Sequence, residues 1–201
     1  MARDRASRPE AKPLRLFVAA DVPQPMKDGL DRAMAPFRDK IPGARWTQPS
    51  GWHVTLKFLG WVWPRLETAV REAVAGVAAR AGPPFDARLM SIGAFPSPNR
   101  ARVLWAGLND EPAGRFAEVV KLLDDVLEEH FEPEQREYTP HLTVARLVPP
   151  RRLSEFAPAL VGLDVSSDPF AVEELVLYRS RLSPRGATYV PLVRAPLVSG
   201  R

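Results

Sequence analysis

The chain holds three histidines, and two of them open the same frame: His53-Val54-Thr55-Leu56 and His141-Leu142-Thr143-Val144. Side chains in a strand alternate faces, so His53 and Thr55 share one face, as do His141 and Thr143. Each segment thus sets an imidazole beside a hydroxyl on one side of a sheet. Splitting a phosphodiester takes one group that removes a proton and one that donates a proton. In-line displacement at phosphorus puts nucleophile and leaving group on opposite sides, so acid and base must approach from opposite directions. Two equivalent strands in facing lobes do this.

One His-x-Thr frame inside an apolar run is more often a structural strand than a site. The surroundings change that reading. Arg15-Leu-Phe-Val-Ala-Ala-Asp21 resembles Arg102-Val-Leu-Trp-Ala-Gly-Leu108 at an offset of 87, and the two histidines are offset by 88. A strand, a helix and a His-x-Thr strand recur in order, which reads as a pseudo-two-fold internal duplication. The third histidine, His130, falls near the end of a helical pattern, where a cation complements the helix dipole.

The elements that position these groups follow from periodicity. Leu14 to Ala20 reads as a buried strand. A helix opened by Pro25 carries Met26, Leu30, Met34 and Phe37, and Trp52 to Leu59 reads as a strand stopped by Gly60. Pro64 opens a helix with Leu66, Val70, Val74 and Val77 as its stripe. Phe85 to Ile92 and Arg102 to Leu108 read as strands. Pro112 opens what the pattern gives as the longest helix, followed by the strand His141 to Leu147. A short helix near Ser154, strands at Phe170 to Arg179 and Thr188 to Val193, and a turn through 184–186 complete the chain. The order β-α-β-β-α-β, then β-α-β-α-β-β, with short connections, predicts an α+β protein. Two antiparallel sheets would face a central groove, with helices outside and one His-x-Thr strand in each lobe.

The chain has 201 residues, 45% hydrophobic and 26% charged, enough for one domain with a sizeable core. Residues 14–198 read as a single bilobal domain, and residues 1–13, polar and basic, as a disordered tail rather than a secretory signal. No apolar run approaches the length of a membrane span. Cysteine is absent, which excludes thiol nucleophiles and thiolate metal sites and fits a reducing cytoplasm. The net charge is +4, and 23 of the 28 basic residues are arginine, which favours an anionic partner such as nucleic acid.

Together these residues resemble the RNA 2′,3′-cyclic phosphodiesterases of the two-histidine phosphoesterase superfamily, whose bacterial members were first described as 2′-5′ RNA ligases. The matching segments are Leu14 to Asp21, Trp52-His-Val-Thr-Leu-Lys-Phe-Leu-Gly60, Gly93-Ala-Phe-Pro-Ser-Pro98, Arg102 to Gly107, Thr139-Pro-His-Leu-Thr-Val-Ala-Arg146 and Leu177-Tyr-Arg-Ser180. The resemblance implies a bilobal two-sheet fold with no metal and no cofactor, acting as a monomer on RNA 3′ ends or small nucleotides that bear a 2′,3′-cyclic phosphate. It implies His53 as the proton donor to the departing ribose oxygen, His141 as the base that activates water, and a 2′-phosphate product. It also implies that Thr55 and Thr143 hold phosphate oxygens and that Phe58 and Arg146 sandwich the terminal base. Phe58 and Arg146 lie five residues after their histidines, an odd spacing that a regular strand would turn to the opposite face. The base-binding role therefore requires each strand to bend. Lys57 shares parity with His53 and Thr55 and is a candidate phosphate contact.

Three other readings compete. A metal-dependent hydrolase lacks an HxxxH, HxH or HD pair and an evident third ligand. A noncatalytic RNA-end-binding module sits poorly with both histidines and both threonines being present. The same chemistry on another cyclic nucleotide or a 2′-5′ oligonucleotide is left open by the residues alone.

Overall fold

The computed structural model describes residues 12–133, 135–183 and 186–199. Most of the expected tail, residues 1–11, and the turn positions 184 and 185 lie outside the described residues. Strands β1 (Leu14–Asp21), β2 (Ala44–Trp46), β3 (His53–Val62), β4 (Phe85–Phe95), β5 (Ala101–Glu111), β6 (His141–Arg151), β7 (Phe170–Val172), β8 (Glu174–Ser183) and β9 (Gly186–Pro196) alternate with helices α1 (Gln24–Met34), α2 (Pro64–Arg80), α3 (Arg115–Leu127) and α4 (Leu153–Phe156). The protein is α+β, and its strand pairs are antiparallel.

The strands follow the order β7-β4-β5-β6-β3-β1-β8-β9, with β2 pairing β6. The two expected sheets are the halves β7-β4-β5-β6 and β3-β1-β8-β9. They meet between the two histidine strands at a single register pair, Val54 with Leu142. The apolar segment expected as one strand from Phe170 to Arg179 divides at Glu173. Phe170–Val172 pairs with β4 in one half, and β8, which begins at Glu174, pairs with β1 from Val176 to Ser180 in the other. One extended stretch thus crosses between the halves.

The stripes read from sequence are the buried faces. Leu30 and Met34 of α1, Val70, Val74, Val77 and Ala78 of α2, and Phe116, Val119, Val120, Leu123 and Leu127 of α3 pack with Leu16, Val18 and Ala20 of β1 into one continuous core. The opposite face of β1 has its own small cluster: Phe17 and Ala19 with Val176, Tyr178 and Tyr189.

Helix α3 departs from the expectation. It starts at Arg115 rather than Pro112, and at 13 residues it is shorter than α2, at 17. Gly114 takes the left-handed φ of +94°, which a glycine adopts without a Cβ clash. The Asp110 carboxylate accepts hydrogen bonds from the Gly114 N–H (3.1 Å) and the Phe116 N–H (2.6 Å), so a strand residue caps the helix start. His130 lies beyond the last turn, exposed, with its backbone N–H donating to the Leu127 carbonyl at 3.1 Å.

Candidate active site

The strand bend that Phe58 and Arg146 require is present in both halves. Along β1 and β3, Ala19 pairs with Thr55 but Val18 pairs with Lys57, so Leu56 is an extra residue in β3. Along β5 and β6, Trp105 pairs with Thr143 but Leu104 pairs with Ala145, so Val144 is the extra residue in β6. An inserted residue reverses which face the later side chains take. Beyond the bulges, Phe58 pairs with Phe17 and Arg146 with Val103, on the same face as His53 and Thr55 and as His141 and Thr143. The spacing of five, odd in a flat strand, becomes even across the bulge.

The same shift overturns the phosphate assignment for Lys57. Its strand partner is Val18, which belongs to the main core. Lys57 is 5% exposed, forms an ion pair with Asp124 of α3 and donates to the Glu132 carbonyl at 3.2 Å. It ties helix to sheet on the face away from the histidines. The duplication is also off by one where it aligned Arg15 with Arg102. Register sets Ala19 opposite Thr55 and Trp105 opposite Thr143, so β1 and β5 correspond at an offset of 86.

The two imidazoles are held alike. Nδ1 of His53 lies 2.7 Å from the Gly51 carbonyl, and Nδ1 of His141 lies 2.8 Å from the Thr139 carbonyl, in each case two residues back. A carbonyl only accepts, so Nδ1 carries the hydrogen in both, leaving Nε2 for proton transfer. Pro140, between Thr139 and His141, favours the extended approach that aims this ring. Thr55 and Thr143 are half-buried, and neither hydroxyl has a hydrogen-bond partner among the described residues. Strand positions are fixed through the backbone instead: the Tyr138 hydroxyl donates to the Thr55 carbonyl at 2.8 Å. The Thr47 hydroxyl reaches the Thr143 and Val144 carbonyls, both at 2.9 Å, and accepts from the Trp52 indole N–H at 2.6 Å. Trp52 directly precedes His53, so this chain links the start of one histidine strand to the bulge of the other.

The walls differ. Phe17 stacks on His53 with centroids 4.7 Å apart, Tyr189 meets it edge-on at 5.0 Å, and Tyr178 lies behind at 6.2 Å. Phe95 meets His141 edge-on at 5.1 Å, with Trp105 at 6.3 Å. A Cβ on Gly93 would come within 2.2 Å of the Trp105 ring, so only glycine admits the indole there. Burial pushes the His53 imidazole down to about 4, against the Gly51 carbonyl and the Asp21 charge, which raise it. Burial also lowers His141, with the Arg146 guanidinium adding to the effect. Asp21 is the cross-strand partner of His53, and its carboxylate accepts from the Tyr178 hydroxyl at 2.7 Å and from Arg194 at 3.1 Å.

Sequence reading missed this shell of Phe17, Tyr178, Tyr189, Phe95 and Asp21. Parity on β1 marks Phe17 and Asp21 as sharing a face, but Tyr178 and Tyr189 arrive from distant strands that no local spacing connects to His53. No cluster of three or more His, Asp or Glu side chains able to hold a metal ion occurs among the described residues, and none of their helices is long and apolar enough to cross a membrane.

Comparison with known proteins agrees with this geometry. The family model of the 2′-5′ RNA ligase superfamily matches residues 27–183. An RNA 2′,3′-cyclic phosphodiesterase of Methanothermobacter thermautotrophicus is 32% identical, over 89% of this chain and 96% of its own. Among solved structures, TT0787 of Thermus thermophilus superposes with a TM-score of 0.77 at 28% identity, covering 94% of this chain and all of that one. E. coli LigT complexed with ATP gives 0.69 at 25% identity, with the same coverage. With two duplicated histidine strands, matched bulges and relatives of this kind along nearly its whole length, the chain belongs to the 2′-5′ RNA ligase superfamily.

Proposed function

We propose that this protein hydrolyses RNA 2′,3′-cyclic phosphodiester ends to 2′-phosphomonoesters, with His141 as base and His53 as acid. The observation that carries this reading is the pair of imidazoles, each fixed through Nδ1 with Nε2 left over, on equivalent strands that each add a threonine hydroxyl. Relatives named as RNA 2′,3′-cyclic phosphodiesterases support the same substrate. Nε2 of His141 takes a proton from water as its oxygen bonds to phosphorus. The bond from phosphorus to the ribose 3′ oxygen breaks, and Nε2–H of His53 protonates that oxygen. Thr55 and Thr143 donate to the phosphate oxygens, and Phe58 and Arg146 take the terminal base between an aromatic face and a guanidinium plane. Both histidines come from one chain, so a monomer suffices. A chain without cysteine relies on no disulfide, which fits the reducing cytoplasm. The same exchange in reverse, with a ribose hydroxyl in place of water, forms a 2′-5′ linkage. The direct test is a short RNA ending in a 2′,3′-cyclic phosphate, incubated with protein and chelator. A 2′-phosphate product supports the reading, and a 3′-phosphate or no product overturns it.

Acidity of the site gives a prediction with a definite sign. Burial lowers both imidazoles, His53 to about 4. In the free protein at neutral pH both are neutral, while the acid step needs an imidazolium. The kcat/KM profile is therefore expected to be bell-shaped with both limbs below the ordinary histidine value of about 6.5, and to fall as pH rises through neutrality. The limbs belong to the pair rather than to either ring. An anionic phosphate in the groove stabilises the imidazolium, so the kcat limbs should lie higher. A rate that climbs steadily from mildly acidic to alkaline pH would contradict the two-histidine scheme.

Base recognition is separable from chemistry. Phe58→Ala and Arg146→Ala should each cost about 1 to 3 kcal/mol of binding, chiefly in KM, because stacking away from phosphorus acts on ground and transition states alike. A base-free cyclic ribose phosphate should be turned over almost as well by both variants as by the parent. Equal losses on substrates with and without a base would show that these side chains act at the phosphate instead.

A further inference from the structure

Beyond the terminal-base site, we propose that the groove contains a second nucleotide subsite, in which Trp61 stacks the preceding base and Arg15 holds the phosphate that joins the two nucleotides. The proposal rests on the hydrolytic reading above and extends it from the RNA end to the chain that leads up to it.

Register carries the argument. Phe17 pairs with Phe58 on one side and Tyr178 on the other, forming the cross-strand row that holds the proposed terminal-base platform. Two residues along β1, Arg15 pairs with Trp61 and with Ser180, and Ser180 pairs with Tyr189. Because β1 alternates regularly against β8, this second row stands on the same face, one pleat repeat (about 6.6 Å) further from the histidines. Phe58 is 64% exposed and Trp61 is 65% exposed, so two large rings stand open to solvent on consecutive rows of one face. Neither is needed to fill the core beneath them.

The polar groups of the second row are unspent. Arg15 is half-buried and has no hydrogen-bond or ion-pair partner among the described residues. The Ser180 hydroxyl, in a residue 8% exposed, is buried and has no partner either. A buried hydroxyl left unpaired costs free energy, and the half-buried guanidinium above it keeps its donors available to a ligand. An exposed indole beside a free guanidinium fork suits a nucleotide, with a π-face for any base and paired donors for a phosphate. No carboxylate stands in this row to compete for the guanidinium. Continuity with the Phe58 row selects single-stranded RNA over a protein partner, because an RNA whose 3′ end lies at the histidines must run out along the groove.

The experiment compares a nucleoside 2′,3′-cyclic monophosphate with a dinucleotide ending in a 2′,3′-cyclic phosphate, using Trp61→Ala, Trp61→Phe and Arg15→Gln. Trp61→Ala should lower kcat/KM on the dinucleotide about fivefold or more and leave the mononucleotide within about twofold. Trp61→Phe should recover most of the loss. Arg15→Gln should also act on the dinucleotide alone and flatten its salt dependence by about one phosphate contact, a slope change of about 0.7. Equal losses on both substrates, or no loss on either, overturn the subsite. Calorimetric binding of the 2′-phosphorylated dinucleotide separates this idea from the reaction itself. Trp61-dependent binding without turnover would retain the subsite and reject the hydrolytic reading, and turnover with Trp61-independent binding would do the reverse.

Discussion

His53→Ala and His141→Ala are each expected to lower kcat/KM on a 2′,3′-cyclic phosphate by at least about 10²-fold while the protein stays folded. A positioned proton-transfer group typically contributes about 10² to 10⁴ in rate, and each histidine here is the only histidine on its strand. The double variant should lose far less than the product of the single losses, since a transition state deprived of one partner gains little from the other. His130→Ala is the internal control: that ring is exposed beyond the end of α3 and should leave turnover unchanged. Circular dichroism establishes folding, and single-turnover rates measure the chemistry. Turnover within a few-fold of the parent in either single variant would sink the scheme.

The largest expected effect on stability comes from Asp124→Ala. This change strands the Lys57 ammonium, 5% exposed, with only the Glu132 carbonyl as acceptor. Breaking a buried pair from one side costs about 3 to 5 kcal/mol, and because Asp124 keeps 15% of its surface in water the lower figure applies. Urea unfolding should show a lower midpoint at constant slope. Activity per folded molecule should hold, since the pair lies on the face away from the histidines. A normal midpoint with reduced kcat/KM would return Lys57 to the phosphate and reverse the assignment made from register.

Much of this architecture was legible in the residues. The helical stripes, the apolar strands and the repeated His-x-Thr frame each follow from local periodicity, and the structure keeps all three. What periodicity lost was phase. Leu56 and Val144 are ordinary buried aliphatics, and nothing in their chemistry says that they are inserted rather than paired. Counting by twos puts Lys57 on the histidine face and Phe58 on the opposite one, the reverse of where register puts them. Only the family resemblance pointed to Phe58 and Arg146 against that count. The slip between Arg15 and Arg102 has the same origin, because matching residue types along two strands cannot see which face each presents. The start of α3 was hidden differently: Pro112 is a sound helix opener, but Asp110, a strand residue, supplies the cap further on. The aromatic wall around His53 was beyond reach, since Tyr178 and Tyr189 join it only once β8 and β9 have closed on β1.

The single pair that joins the halves has one more property. Val54 and Leu142 are 88 residues apart, the same interval that separates the two histidines, so each is the other's counterpart in the repeat. A residue that meets its own counterpart across an antiparallel pair is the mark of an isologous contact, the kind found where a symmetry axis passes between two identical subunits. The fold thus has the geometry of a half-length homodimer sealed into one polypeptide. A true homodimer would have to surround both imidazoles identically, leaving acid and base to be told apart by substrate alone. Covalent linkage removes that constraint. One half is free to wall its imidazole with Phe17, Tyr178 and Tyr189 and carry Phe58, while the other uses Phe95 and Trp105 and carries Arg146. Division of labour between two once-equivalent histidines is what the joined chain makes available.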